Sequence, residues 1–561
     1  MRSHRARRPI AVGMLAMLCA AWSGAGTAVA APATAKYPIV KLPAGFALSK
    51  VVGGLTFPTS LTWDNRGRMY VAQAGGEFLP EPQPAQILRI TPGRAQPVLN
   101  LTKTGVADAV VGLQWYKGAF YFSHRDPRDF SGAISKVTLA GKRTQLFTGF
   151  RDSQAEHQIN DVRLGPDGRM YFVNGPAANS AVVGPDNAAF VRLNRGVHTR
   201  SCRDIVLNGY NFGSANFLTA RPADKALTGA YVPYGTVTYP GTRIAGDPKC
   251  GGAIFSFDPD QSRPTLHRVA YGMRNVIGVA WDRRGTMYAA VNGYDVRGSR
   301  PIQDQYDATY RVRPGTWYGV PDYSAALQPV TLPKFDVPDA LQAPVYRGRQ
   351  LLPTRDLRFV INHRASGLQP PDRSLVYGLH KGDSSPSELD VAPTSWGAYG
   401  NAVFVAEFGD LAPGTNPLLN GHAGFQVSRI DRSTGKAVPF LRNIKPAPAS
   451  ELGALGRGIE RPFDVQFGPD GAMYVVDFGQ VVVNPALAPP PYEYPTGTGA
   501  IWKVTRTGGA GSTTAAAPAG TGTGAGPTPA GLIPAGLFTG LSVGLLLLVG
   551  RVRRLRRPVT A

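Results

Sequence analysis

One pattern recurs six times along this chain: a run of alternating apolar residues, a tight turn, and a second alternating run rich in aromatic residues. The copies are LTWDNRGRMYVAQ (61–73), VGLQWYKGAFYFSH (111–124), VRLGPDGRMYFVNG (162–175), VAWDRRGTMYAAVNG (279–293), SWGAYGNAVFVAEFG (395–409) and VQFGPDGAMYVVDFG (465–479). Alternation of period two is the signature of a half-buried strand, and Asp-Gly or a close variant supplies left-handed backbone at little cost, so each copy reads as a hairpin. The turn glycines Gly67, Gly118, Gly168, Gly285, Gly400 and Gly471 lie 51, 50, 117, 115 and 71 residues apart. The first two intervals match one blade of a propeller, and the longer ones contain insertions. Further strand-like sequence follows the hairpins, as in AQILRITPGRAQPVL (85–99), GAISKVTLAGKRTQLF (132–147) and GAIWKV (499–504), which completes units of about four strands. The expected fold is all-β: a six-bladed β-propeller over 37–506 with an inserted loop region at 176–250. Asp167 and Asp470 are read as turn residues, not metal ligands.

Composition agrees with that class. With 67 glycines, 49 prolines, 43% hydrophobic and 17% charged residues, the chain suits many tight turns around a core and excludes a helical bundle or wholesale disorder. Nine of the positive charges behind the net +23 are arginines in the two ends, which leaves +14 on the body. That surplus is spread without a Lys/Arg cluster, zinc-finger pattern or basic helix, so nucleic acid is not an expected partner. A basic surface favours anionic small molecules or acidic envelope polymers, and it serves equally as a solubility surplus.

The ends place the protein in a compartment. Residues 1–30 combine four arginines, an apolar run from Ile10 to Trp22 and Ala28-Val29-Ala30, the pattern of a cleaved secretory signal. Arg7-Arg8 also permits a twin-arginine route, although Pro9 and the weak flanking pattern favour general secretion. Residues 507–530 are almost wholly Gly, Ala, Ser, Thr and Pro and read as a disordered stalk. The apolar stretch 531–550 has the length of a membrane-spanning helix, and the basic tail 551–561 fixes its C-terminus inside. The expected arrangement is an exported propeller, outside the cell, anchored in the membrane by one C-terminal helix. Cys202 and Cys250 are the cysteines left after the leader is removed, and in an exported chain two cysteines most simply pair as a disulfide.

Chemistry is harder to place. GLSVG (540–544) matches a hydrolase nucleophile elbow but lies inside the apolar helix, and GTGTGAG (520–526) lies in the stalk with no strand before it. The remaining polar clusters stand where innermost strands begin: EHQIND (156–161), GMRNVIG (272–278) and IERPFDV (459–465). His157 has the residue type of a base that changes protonation near neutral pH, and Arg274 is a permanent planar donor suited to carboxylate or quinone oxygens. On spacing alone, capping or solvated roles explain these residues at least as well.

The order EHQ, GPDGRMYFVNG, GGAIFSFDPD, VAYGMRNVIGVAWD, GTWYGVPD and RPFDVQFGPDGAMYVVDFG resembles the glucose/sorbosone dehydrogenase family across most of 40–506. The resemblance implies a six-bladed propeller, pyrroloquinoline quinone and calcium as cofactors, and oxidation of CH–OH groups of sugars. It is closest to a secreted, membrane-anchored branch whose long insertion carries a cysteine pair. His157 resembles the family's catalytic base. Gln158, Arg274 and Asn275 resemble its quinone contacts, and Arg461 matches one of two last-blade arginines. The implied partners are an aldose or aldosone and an envelope electron acceptor. Two features depart from the pattern: Ile159, Asn160 and Asp161 replace Gly-Gly-Arg after His-Gln, and Val320 replaces Trp in WYGVPD. Lys381 is a further quinone contact to be weighed, and no side-chain set for calcium is legible. A second class stays open: a non-catalytic surface propeller that binds sugar polymer or protein through its top face and the 176–250 insertion. A lactonase-like hydrolase would need a carboxylate cluster that the sequence does not assemble.

Overall fold

The computed structural model describes residues 36–76, 82–221, 223–484 and 492–507. The leader, nearly all of the stalk, the apolar stretch 531–550 and the basic tail lie outside the described residues. Among the described residues no helix is long and apolar enough to cross a membrane.

Six four-stranded antiparallel units follow one another in chain order, the fourth and fifth joined by a parallel bridge from Leu379 to Lys436 into one nine-stranded sheet that also takes in Val40–Lys41. The first is Pro58–Trp63, Met69–Gln73, Gln86–Thr91 and Arg94–Asn100. The second is Leu113–Tyr116, Ala119–Arg125, Gly132–Thr138 and Arg143–Phe150. The third is Ile159–Leu164, Met170–Asn174, Ala253–Phe257 and His267–Tyr271. The fourth is Asn275–Trp281, Met287–Asn292, Tyr306–Arg311 and Val376–Lys381. The fifth is Pro386–Val391, Val403–Glu407, Gln426–Asp431 and Lys436–Asn443. The sixth takes three strands from the C-terminal side, Pro462–Phe467, Met473–Asp477 and Gly499–Arg506, and its outermost strand, Phe46–Leu55, from the N-terminal side. The first strands of the six sheets pack against one another in a closed ring, so the sheets are propeller blades around an axis.

The alternating residues explain the ring. Each pair of neighbouring blades encloses its own apolar cluster. Tyr70, Ile87, Phe120 and Phe122 lie between blades one and two, and Phe150, Phe172, Phe255 and Phe257 between two and three. Val173, Val279 and Ala289 fill the next gap, then Tyr288, Leu389 and Val405, then Phe404, Val465 and Trp502. Leu61, Val71, Val476 and Ile501 close the circle between blades six and one. Burial at about 25 cal/mol per Å² of apolar surface makes these six interfaces the main source of stability.

The hairpin turns sit at one end of the axis. Gly67, Gly118, Gly168, Gly285 and Gly471 have φ between 72° and 88°. The fifth copy differs: Gly400 has φ −59°, and Asn401 carries the left-handed angle at 61°. Asparagine tolerates that region better than most side chains. In four copies the turn aspartate binds backbone amides and also takes the hydroxyl of the following tyrosine: Asp64 from Tyr70, Asp167 from Tyr171, Asp282 from Tyr288 and Asp470 from Tyr474.

Two long excursions leave the blades. Residues 175–252 separate the second and third strands of blade three, and residues 312–375 separate the third and fourth strands of blade four. The second was not singled out by the sequence. It runs up the outer strand of blade three, where Tyr271 pairs with Trp317, and meets the first excursion. Lys225–Gly229 and Tyr210–Ala215 from one then pair with Val345–Arg347 and Gln350–Leu351 from the other in a joint four-stranded sheet. Cys202 and Cys250 are joined by a disulfide that ties the first excursion to the start of the next strand.

Candidate functional site

Because all six innermost strands run the same way, the residues that precede them meet at one end of the axis, opposite the hairpin turns. Connections between second and third strands return to that same end. His157 precedes the innermost strand of blade three, Arg274 that of blade four and Arg461 that of blade six.

Midway down the axis, Arg163 binds three carboxylates from three blades: Asp161 at 3.0 Å, Glu388 at 2.7 Å and Asp464 at 2.8 Å. Asp464 also accepts the Leu61 amide and Asp161 the Val279 amide, which brings in blades one and four. Burial and the neighbouring Asp464 and Asp161 push the Glu388 carboxyl well up, against the pull of Arg163. This cluster closes the axis below the His157 end. It also accounts for the departure after His-Gln: Asp161 serves Arg163, and Asn160 donates to the Val276 carbonyl in blade four.

His157 is buried, with Nδ1 2.7 Å from the Pro176 carbonyl and Nε2 3.0 Å from Glu156 Oε1. A carbonyl only accepts, so Nδ1 carries the proton and the neutral ring presents its lone pair at Nε2. Burial, then the Arg274 charge, push the ring down to about 3, which keeps it neutral through the physiological range. Gly175 fixes the spacing. A Cβ there would stand 2.5 Å from His157 Cβ and 2.6 Å from Asn275 Oδ1, so only glycine lets blades three and four approach this closely.

Arg274 donates from Nη2 to Asp295 at 2.6 Å and to Asn179 at 2.9 Å, and the same nitrogen lies 3.8 Å from Glu156. Arg297, from the connection between the second and third strands of blade four, reaches Glu156, Asp186 at 2.7 Å and Asp295 at 2.8 Å. Burial pushes Asp186 up to about 7 and raises Asp295 as well. His157, Gln158, Arg274 and Asn275 are therefore brought together. Arg461 stands apart in blade six, its Nη1 on the carbonyls of Phe408, Gly409 and Asp410 and its guanidinium over the Phe408 and Phe425 rings. Lys381 donates to the His422 carbonyl.

Sequence reasoning missed Arg297, Asp295, Asp186 and Asn179, and it quoted Glu156 without giving it a role. The available signal was NGYDVRGSR (292–300), a connection with two arginines and an aspartate that neither strand periodicity nor a turn requires.

Buried polar atoms with no hydrogen-bond partner among the described residues include both amide atoms of Gln158, His157 Nε2, Asn275 Oδ1, Arg274 Nε and Arg461 Nε. Orphaned buried groups cost about 1–3 kcal/mol each, and such a set converging on one end of an axis is the mark of a polar ligand's contacts. Arg274 Nε, Arg461 Nε and Gln158 Nε2 are donors that fit the carboxylates and ring carbonyls of a planar quinone, and Asn275 Oδ1 and Gln158 Oε1 are acceptors. Calcium finds less: among the described residues no group of three His, Cys, Asp or Glu side chains is placed to hold a metal ion.

No protein-family model and no curated protein matches the sequence. Solved structures similar to it include the quinone-bound (PQQ) aldose sugar dehydrogenase of Streptomyces coelicolor, at 15% identity over 83% of this chain and 99% of that one, with TM-score 0.42. A putative oxidoreductase (glucose dehydrogenase) of Thermus thermophilus matches at 15% identity over 82% and 100%, with TM-score 0.42. The PQQ domain of pyranose dehydrogenase from Coprinopsis cinerea matches at 13% identity over 83% and 97%, also at 0.42.

Proposed function

We propose that this chain is an exported, membrane-anchored quinoprotein oxidoreductase that oxidises an aldose or aldosone. The observation that carries the reading is the convergence of His157, Gln158, Arg274 and Asn275 at one end of the axis, each with a buried polar atom that has no hydrogen-bond partner among the described residues. The family resemblance of the motifs that contain them supports it. So does the pattern of the chain's ends, a leader over 1–30 and an apolar stretch over 531–550 before a basic tail.

Bound pyrroloquinoline quinone would supply the two-electron acceptor for a hydride from the sugar's CH–OH carbon. His157 takes the hydroxyl proton at Nε2, the nitrogen that the Pro176 carbonyl leaves unprotonated. The Pro176 carbonyl orients the ring, and Glu156 Oε1, 3.0 Å from Nε2, can accept the proton once Nε2 has taken it. Arg274 Nε and Gln158 Nε2 would donate to the quinone's oxygens, with Arg461 Nε contributing from blade six, and Asn275 Oδ1 would accept from its ring N–H. Calcium belongs to the same reading through the resemblance alone, and electrons pass on to an envelope acceptor.

The closure of the site favours a second reading, a non-catalytic propeller that binds sugar polymer or protein. His157 is only 1% exposed, and its Nε2 faces the Glu156 carboxylate at 3.0 Å. The two readings separate in one assay: the full chain is loaded with quinone and calcium, and dye reduction is followed with a panel of aldoses, using His157→Ala as control. Reduction that falls at least a hundredfold in His157→Ala supports the dehydrogenase. Quinone binding without any His157-dependent reduction favours the binding propeller.

A further inference from the structure

At the same end of the axis, beside blade two, a groove of about 610 Å³ opens between that blade and the first excursion. The volume is that of a small-molecule site. Its charged lining comes from both sides: Asp129 and Arg151 from blade two, and His198, Arg200, Asp247 and Lys249 from the excursion. Arg200 is held by its backbone amide on the buried Asp152, and its Nε, 3.8 Å from Asp247, makes no hydrogen bond. Lys249 uses one of its three N–H donors on the Thr148 carbonyl. Arg151 is exposed at the rim. Burial, then the Arg200 charge, lower His198, with Arg151 contributing.

We propose that this groove binds a sugar acid, a polyhydroxylated monoanion, whose carboxylate pairs with Arg200 and Arg151 and whose hydroxyls donate to Asp129 and Asp247. The charge count decides the class. Three fixed cations face two carboxylates, so the lining carries one positive charge in excess, which matches one anionic group. A compact dianion such as phosphate would meet both aspartates at close range, and a neutral sugar would leave the guanidinium groups unanswered. The groove lies outside the His157 cluster and needs no quinone. The two are nevertheless adjacent: a smaller cavity shares Arg200, Ser201 and Tyr231 with the groove and ends at Pro176, whose carbonyl holds His157.

The test is calorimetric titration of the full chain, at low and at physiological salt, with glucuronate, glucose, inorganic phosphate and a trigalacturonate. Glucuronate is expected to bind at least tenfold more tightly than glucose or phosphate and to weaken with salt. Arg151→Gln and Lys249→Gln are each expected to lower its affinity five- to tenfold. Trigalacturonate binding tighter than the monomer identifies a polymer-borne acid as the ligand, and equal binding identifies the free sugar acid. Arg151 is exposed, so its replacement leaves packing intact, and unchanged glucuronate binding in that variant overturns the proposal. Absence of binding, or equal binding of glucose, overturns it too. His157→Ala retains glucuronate binding, which keeps failure of this site distinct from failure of the oxidoreductase reading.

Discussion

Gly175 does its work by having no side chain. Gly175→Ala inserts a methyl group against His157 Cβ and Asn275 Oδ1, and the overpacking costs about 1–3 kcal/mol. The variant is expected to unfold at lower denaturant and to lose quinone affinity out of proportion to that loss, as measured by unfolding and ligand titration side by side. Asp152 is a second such residue. Burial pushes its carboxyl up to about 7 while one oxygen binds the amides of Ala177 and Arg200. A carboxyl raised in the folded state stabilises below its unfolded value near 4, and that contribution is lost as pH rises through about 7. Asp152→Asn, which cannot ionise, is therefore expected to gain stability relative to the parent between pH 5 and pH 8, and urea unfolding at the two values reads the difference. Single residues were also where the sequence was least legible. His157, Gln158, Arg274 and Asn275 stood out because they sit in motifs. Arg297 and Asp186 did not, because what makes them part of the site is the buried pairing of Arg297 with Glu156 and Asp186, contacts between distant parts of the chain that no local pattern encodes.

At the scale of elements, the hairpins were readable because each is local: strand, turn and strand lie within fifteen residues, and alternation and turn chemistry point the same way. Gly67 tests the turn argument in isolation, since a Cβ there meets nothing within 4 Å. Gly67→Ala is expected to cost about 1–2 kcal/mol, all of it from the left-handed backbone, and thermal unfolding should show the loss without any change in site properties. Asn401 shows where the expectation fails in detail: the turn needs one left-handed residue, and in Gly400-Asn401 the asparagine takes it. The joint sheet of the two excursions was beyond sequence reading for the opposite reason. Tyr210–Ala215 and Val345–Arg347 are too far apart in the chain for any turn signal to announce their pairing.

Over the whole molecule, closure rests on two devices. The N-terminal strand Phe46–Leu55 completes blade six, so removal of residues up to 55 leaves Gly499–Arg506 unpaired on that side and is expected to abolish cooperative folding, visible as loss of a single calorimetric transition. At the axis, Arg163→Met strips the counter-charge from Asp161, Glu388 and Asp464 and is expected to destabilise by about 3–5 kcal/mol. With the ring closed in this way, the sequence-separated His157, Arg274 and Arg461 segments are delivered to one end, and the central claim is that they hold a quinone there. The most direct measurement is an equilibrium titration of the full chain with pyrroloquinoline quinone in the presence of calcium, comparing the parent with Asn275→Ala. Asn275 Oδ1 has no partner to lose, so the variant should fold as well as the parent. The account predicts saturable binding by the parent, weakened at least tenfold in the variant. A folded chain that binds no quinone, or binds it equally in both forms, contradicts it.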